Sequence, residues 1–534
     1  MKRLDKQKII TLCIYGGIFA LIFIGGVVLF GAYFVIETFG GVGFEQILFH
    51  LRFPLLDNNV PFVGKFVNKV IIPALACAFV ITFPQITLKI LTQFYTFLKK
   101  ATLGKLTFAF VLFALCVNVT NNKLKITRYL KTQTEFSNLY ETHYKAFDIA
   151  NLAGFSPKQN LIVILAESLE STFSAKNIPD YIPKVAQNGG GGNRLLSKNQ
   201  TKFKLSQETQ NNPYSPFGEL IPNLTNLALK HTNFSTTNAL GGITQNSNSV
   251  NTITGTVAYL CGIPLNMPFY RNDFMHEYFL DSAVCLSDIL HNLGYKQAYF
   301  SGIDSAFAGT KYLFESHSVE VMDLPYFQSA NLVPKELPLQ MQGYWDLKDF
   351  EVFKLAKNHL ESMSDSQPFA LYISTIDTHS GSSFVDNKHC KGVSSDYKGA
   401  ILCVDKIISD FVKWVQDSHF GANTTIIILG DHLSHQQFFF PQNAKRFIYN
   451  AFINPRFTQK PTLKLTKNRQ ITHFDITPLI LDSLGIRTKS FGLGRNPLLS
   501  KTLLESEFDL EQFNALIWQR NKFYDTFWEV KKRE

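Results

Sequence analysis

The sequence has no basic stripe interleaved with a recognition motif, although its formal net charge is +10. That absence argues against nucleic acid as a partner and leaves the positive charge to report membrane topology. GxGxxG and Walker spacings are also missing. The four glycines at 189–192 sit in a polar Gly/Asn/Gln/Ser-rich stretch, 187–219, which reads as a flexible insertion and not as a phosphate loop. Cysteine is sparse, seven in 534 residues. Charge is absent altogether from CIYGGIFALIFIGGVVLFGAYFVI, residues 13–36.

What is abundant is apolar: 46% of residues are hydrophobic and 14% aromatic, with 49 Phe. Such a balance calls for membrane segments. At about 1.5 Å per helical residue, residues 13–36 exceed a hydrocarbon core of about 30 Å and span it with tilt. The run is too long for the apolar part of a signal peptide. A second span is expected at about 70–90 and a third, shorter one at about 106–119. Lys2, Arg3, Lys6 and Lys8 precede the first span, and Lys89, Lys99, Lys100 and Lys105 lie between the second and third. Both clusters fit the cytoplasmic side. Everything after the third span then lies outside the cytoplasm. Three spans with most of the chain exported also argue against a transporter.

The cysteines bear on this orientation. Cys13, Cys77 and Cys116 fall inside the spans, while Cys261, Cys285, Cys390 and Cys403 fall in the exported part. Four cysteines in an oxidising compartment favour bridges, and their order allows two local ones, Cys261–Cys285 and Cys390–Cys403, among three connectivities.

The expected organisation is a transmembrane domain at 1–120, a partly helical linker at 121–159, a catalytic domain at 160–500 and an amphipathic tail at 501–534. The exported region repeats one pattern, an apolar β-branched run that ends in polar residues. NLIVILAES ends at Glu167 and Ser168, KQAYFSGID at Asp304, PFALYISTIDTHS at Asp377 and His379, and NTTIIILGDHLSH at Asp431, His432 and His435. Runs of this kind suit strands buried on both faces of a parallel sheet. Helical stretches such as 286–295 and 347–363 intervene, so an α/β sandwich is expected. Open α/β sheets bind ligands beyond the carboxyl ends of their strands, which places the polar tips at one edge. There Glu167, Asp431 and His432 form a ligand set suited to Mn²⁺, Mg²⁺ or Zn²⁺. A hydroxyl nucleophile activated by such a cation would come from GGITQNSNSVNTITGTVAYLCGIPL, residues 241–265.

Several ordered motifs now carry a resemblance: NLIVILAESLESTF, VNTITGTVAYLCGIPL, CLSDILHNLGY, STIDTHSG, IIILGDHLSH and FGLGRNPL. Together they resemble the phosphoglycerol transferases that decorate periplasmic glucans. More broadly they resemble lipoteichoic acid synthases, within the sulfatase and alkaline phosphatase superfamily. The resemblance covers about 160–499 and implies a sulfatase-type fold with a mainly parallel sheet. It implies that Glu167, Asp431 and His432 hold a divalent metal, Mn²⁺ first. It points to Ser249 as nucleophile and further metal ligand, with Thr252 next and Thr244 third. It also implies that His379 and Trp345 meet substrate, and it gives Arg495 a structural or a catalytic place. Apart from the resemblance, His435 at the β-strand tip is a further substrate-side candidate, and His379 or His435 could pass protons to leaving and entering oxygens.

The implied reaction moves phosphoglycerol from phosphatidylglycerol, or another glycerophospholipid, to a glycan or polyol acceptor outside the bacterial inner membrane. A phosphoethanolamine transferase on the same fold and a sulfatase-like hydrolase are the alternatives. A formylglycine sulfatase needs Cys or Ser followed by x-Pro-x-Arg. Here Pro264 follows Cys261 by three positions, and that signature is missing.

Overall fold

The computed structural model describes residues 6–39, 44, 47–48, 64–83, 102–147, 152, 155, 159–177, 213–238, 240, 242–266, 278–306, 309–343, 346–363, 367–379, 383–436 and 439–530. The chain divides into two compact units, Met1–Gln133 and Thr134–Glu534. The expected insertion lies mostly outside the described residues.

In the first unit, three helical stretches are long and apolar enough to cross a membrane: Cys13–Glu37, Gly64–Thr82 and Gly104–Leu124. They belong to α1 (Lys6–Phe39), to a π-helical turn (Val67–Ile71) continued by α2 (Ile72–Thr82), and to α3 (Thr102–Leu124). The second span therefore starts earlier than about 70, because the helix begins at Gly64; residues 84–90 lie outside the described residues. The third is longer than 106–119, because helix runs through the polar Asn118–Lys123 stretch to Leu124. Small residues let the helices approach. A Cβ on Gly26 would lie 3.1 Å from Ala74 Cβ, and one on Gly25 3.4 Å from Phe113. Such small-residue contacts are how helices associate where water supplies no driving force.

The second unit is built on a seven-stranded sheet of order β2-β7-β6-β1-β5-β3-β4. The strands are β1 (Asn160–Ala166), β2 (Gly242–Ile243), β3 (Lys296–Phe300), β4 (Glu320–Met322), β5 (Phe369–Ser374), β6 (Thr424–Gly430) and β7 (Ile448–Ile453). β4, β3, β5, β1 and β6 pair in parallel, and β7 alone runs against them, pairing antiparallel with β6 on one side and with the short β2 on the other. The sheet is thus mainly parallel, as the aliphatic runs lead one to expect. β5, β6 and β7 are buried at every position, because both faces are covered.

One face carries Ile162, Ile164, Leu371 and Ile373 against α5 (Asp349–Ser362) and α6 (Tyr397–Asp417), whose Phe353 and Phe411 rings meet at 4.9 Å. On the other face Tyr299 stacks on Phe314 at 4.1 Å, and Phe314 meets Tyr372 at 5.3 Å. Both disulfides form, Cys261–Cys285 and Cys390–Cys403, and Cys13, Cys77 and Cys116 are free.

The register decides where the chemistry sits. β1 is flanked by β6 and β5, with Ala166 opposite Gly430 and Leu165 opposite Ser374. The next residues along the three strands are Glu167, Asp431 and Thr375, so three polar tips emerge side by side at one edge.

Candidate active site

Glu167, Asp431 and His432 come together, all buried, with one potential ligand atom from each within 4.8 Å of the others. His432 Nε2 lies 3.5 Å from Glu167 Oε1 and 3.5 Å from Asp431 Oδ2. His432 Nδ1 lies 2.9 Å from the Leu433 carbonyl. A proton on Nδ1 donates there and leaves the Nε2 lone pair facing the carboxylates, as a metal-ligating histidine requires. Asp431 Oδ1 accepts the N–H groups of Ser168 (2.8 Å) and His432 (2.7 Å). Among the described residues, the buried Asp431 Oδ2 has no hydrogen-bond partner. An orphaned carboxylate oxygen beside a second carboxylate and an imidazole is costly unless a cation completes it. The donor set therefore fits a divalent metal. Burial first, and the charge of Glu167 second, push the Asp431 carboxyl up to about 7.

The tip of β5 holds Glu167 from behind. Thr375 Oγ1 accepts the Glu167 N–H at 2.9 Å, and Thr378 Oγ1 donates to the Glu167 carbonyl at 2.6 Å. Ser168 stands at φ 55°, a left-handed conformation rare for serine, and its hydroxyl donates to Glu167 Oε1 at 2.7 Å. Such backbone strain is held only where surrounding bonds over-determine it. None of Ser168, Thr375 and Thr378 stands out by residue type. The hydroxyl-rich β5 tip, STIDTHS, was the available signal.

The hydroxyl facing this cluster belongs to Thr252. Its Oγ1 donates to Glu167 Oε2 at 3.2 Å, and the residue is half-buried. Thr252 opens α4 (Thr252–Cys261), and a capping box between Asn251 and Thr254 fixes that start. Thr252 stands at the positive end of the helix dipole, which favours an anion there. Gly255 allows the close approach, since a Cβ on it would lie 2.3 Å from the Asp431 carbonyl oxygen. Gly262, at φ 63°, closes the helix in the left-handed conformation that glycine adopts without cost.

Ser249 is placed otherwise. It is fully buried, and its hydroxyl donates to Asn246 Oδ1 at 3.0 Å inside the preceding turn. Thr244 is further off in role: its N–H donates to the Ile471 carbonyl at the sheet edge.

The remaining residues divide. The His435 ring lies 4.8 Å from that of His432. Burial, then the charges of His432, His379 and Arg446, hold the His435 pKa well below its usual value. His379 is thus close enough to act electrostatically on the same cluster. Trp345 lies outside the described residues. Arg495 is spent on backbone: its guanidinium donates to the carbonyls of Gly494 (2.8 Å) and His143 (2.5 Å), and its N–H donates to Asp475.

His473, which the sequence did not single out, packs against Tyr259 with ring centroids 4.6 Å apart and the planes tilted by 33°. Its Nε2 lies 2.9 Å from the Asp431 carbonyl. Burial lowers its pKa to about 3, so it is neutral and donates that hydrogen bond from Nε2. Glu170 and Arg446 form a buried ion pair that also grips Ser434: Glu170 Oε1 accepts the Ser434 N–H and Arg446 donates to its carbonyl.

A mainly parallel α/β sheet with acid, imidazole and hydroxyl groups at its carboxyl edge is the arrangement of the alkaline phosphatase and sulfatase fold. The chain belongs to the sulfatase family, whose profile matches residues 159–486. Phosphoglycerol transferase I of Xanthomonas axonopodis pv. citri (strain 306) is 31% identical over 252 residues, 45% of this chain and 35% of that protein. Phosphoglycerol transferase I of Escherichia coli (strain SMS-3-5 / SECEC) is 26% identical over 375 residues, 68% of this chain and 42% of that protein. The chain spans less than half the length of these curated relatives. Solved structures with a similar course include a protein in the alkaline phosphatase superfamily from Vibrio parahaemolyticus (TM-score 0.43, 16% identity, 72% of this chain and 79% of that one). The lipoteichoic acid synthase LtaP from Listeria monocytogenes is another (TM-score 0.43, 16% identity, 66% and 81%).

Proposed function

We propose that the protein is a membrane-anchored phosphotransferase that moves phosphoglycerol from phosphatidylglycerol to an acceptor hydroxyl, with Thr252 as nucleophile. The observation that carries this reading is the Thr252 hydroxyl, 3.2 Å from Glu167 at a helix N-terminus and beside the Asp431–His432 pair. The relatives named phosphoglycerol transferase I support the substrate class.

Glu167, Asp431 and His432 would hold the metal, for which we propose Mn²⁺. When bound, such a cation stabilises charge on phosphoryl oxygens and lowers the pKa of a neighbouring hydroxyl. Glu167 orients the Thr252 hydroxyl. Thr252 Oγ1 then attacks phosphorus as its hydroxyl proton passes to a neighbouring imidazole, an O–P bond forms, and the bond to the diacylglycerol oxygen breaks. That oxygen takes up the proton and diacylglycerol leaves. In the second half the hydroxyl of a glycan or polyol acceptor attacks and gives its proton to the imidazole, the Thr252 O–P bond breaks, and Thr252 Oγ1 takes that proton back. The positive end of α4 supports a negative phosphoryl group at Thr252. His379 and His435 are proposed to pass these protons and contact substrate, together with Trp345. His435, neutral because it is buried among other histidines, serves as a proton acceptor and not as a standing cation.

The basic residues flanking the spans, and two disulfides in the second unit, support an inner-membrane protein with its catalytic domain outside the cytoplasm. Diacylglycerol release tests the reading. Purified full-length protein with Mn²⁺ should release diacylglycerol from phosphatidylglycerol vesicles and much less from phosphatidylethanolamine vesicles. The reverse preference would make it a phosphoethanolamine transferase. Release from neither would overturn the reading.

A further inference from the structure

The C-terminal residues reach the turn that delivers Thr252, although they lie beyond the family match, which ends at 486. α7 (Leu510–Trp518) docks through Phe513 and Ile517, both buried. From α7, Asn514 Oδ1 accepts the Ser247 N–H at 2.8 Å, and Trp518 Nε1 donates to Ser247 Oγ at 2.8 Å. Ser247 is thus held by its backbone and by its side chain from two positions one helical turn apart.

The turn behind Ser247 behaves as one piece. Asn246 Oδ1 accepts the Asn248 N–H at 3.0 Å and the Ser249 hydroxyl at 3.0 Å, and the Asn246 carbonyl accepts the Ser249 N–H. Asn248 Nδ2 in turn donates to Asn266 Oδ1 at 2.7 Å, beyond the far end of α4. Asn266 is itself fastened to the tail. Its N–H donates to Tyr524 Oη at 2.8 Å, its Nδ2 to the Ile517 carbonyl at 2.5 Å, and Trp528 Nε1 donates to its carbonyl at 3.2 Å. Tyr524 Oη also donates to the Pro264 carbonyl at 2.9 Å. The tail therefore clasps the entry to α4 through Ser247 and its exit through Pro264 and Asn266. The tail is braced in turn: Arg520 and Asn521 hydrogen-bond to Glu135 and Ser137, and Tyr140 packs on Tyr524 at 5.2 Å.

We propose that Asn514 and Trp518 are positioning residues for phosphoryl transfer: they hold the Ser247 turn so that α4 presents Thr252 Oγ1 to Glu167. This rests on the reading of Thr252 as nucleophile. A hydroxyl must be placed to a fraction of an ångström for in-line attack, so loosening the turn lowers the attack rate more than it lowers substrate affinity. Two hydrogen bonds on one residue suit that task better than they suit bulk stability, for which the buried Phe513 and Ile517 suffice.

The test uses the full-length protein with four substitutions. Trp518→Phe removes the Nε1–H and keeps a ring, Ser247→Ala removes its acceptor, Asn514→Leu removes the Oδ1 acceptor, and Asn514→Asp keeps an oxygen there. Three quantities are measured: the rate of adduct formation on Thr252 from phosphatidylglycerol, the KM for that lipid, and amide hydrogen exchange across 246–254. Trp518→Phe, Ser247→Ala and Asn514→Leu should each slow adduct formation at least tenfold, leave KM within about twofold and raise exchange in the turn. Asn514→Asp should restore the rate, and Trp518→Phe combined with Ser247→Ala should cost no more than either alone.

Faster exchange with an unchanged adduct rate would overturn the positioning role and leave only a structural one. Unchanged exchange would overturn the contact itself. A wild-type protein that forms no adduct on Thr252 but shows the exchange response would sink the nucleophile assignment, and with it the catalytic part of the proposal.

Discussion

Asp431 is the residue whose surroundings bear most on the proposed metal site. Without a cation its carboxyl is pushed up to about 7, by burial and then by Glu167. Below that pH a proton occupies the place a cation needs, and above it none does. Metal affinity should therefore fall as pH drops below about 7, by about tenfold per unit when one proton is displaced, and level off above. Isothermal titration with Mn²⁺ across this range checks both the slope and the direction. Thr252 and Ser249 separate just as sharply. Thr252→Ala should lower turnover by at least about a thousandfold, because the nucleophile is gone. Ser249→Ala should cost about 1 kcal/mol of stability for one buried hydrogen bond and leave turnover within a few-fold. Kinetics and thermal unfolding of the two variants decide between them.

The cluster Glu167, Asp431 and His432, proposed as the metal set, could be picked out in the sequence because its members stand at the ends of aliphatic strands, and the structure brings them together. The place of Thr252 was harder to read, because counting back from Cys261–Pro264 assumes no change in turn length. The capping pair Asn251 and Thr254 was the local sign that Thr252 opens the helix. Of the backbone supports, Thr375 and Thr378 showed only as hydroxyls in the β5 tip STIDTHS, and His473 not at all, since hydroxyls and a buried imidazole gain their roles only from strand order.

Among elements, α4 carries the most consequence. It is fixed at its start by the capping box and the tail, and at its end by Cys261–Cys285. That bridge spans 24 residues, so replacing both cysteines by serine should cost about 2–4 kcal/mol. Urea unfolding of the double variant checks the value, and no change would mean that packing alone holds the helix end. The strands were legible as unbroken aliphatic runs, and so was their mainly parallel pairing. The reversed direction of β7 was not, because IYNAFI, buried on both faces, reads no differently from a parallel strand. Span boundaries shifted by several residues for a similar reason: hydropathy marks the apolar centre, while helix continues into polar flanks such as Asn118–Lys123.

At the scale of the whole molecule, an N-terminal unit of apolar helices is joined to a sulfatase-family unit whose last residues return to its active edge. That return was invisible in sequence. The tail read only as amphipathic, and the partners of Asn514 and Trp518 lie more than 260 residues earlier. The central claim is that Thr252 carries phosphoglycerol between donor and acceptor. Peptide mapping by mass spectrometry, after incubation with head-group-labelled phosphatidylglycerol and Mn²⁺ but no acceptor, tests it most directly. The label should appear on Thr252 and disappear when an acceptor is added. Label on Ser249 or Thr244 instead, or label on Thr252 that no acceptor removes, would contradict the account.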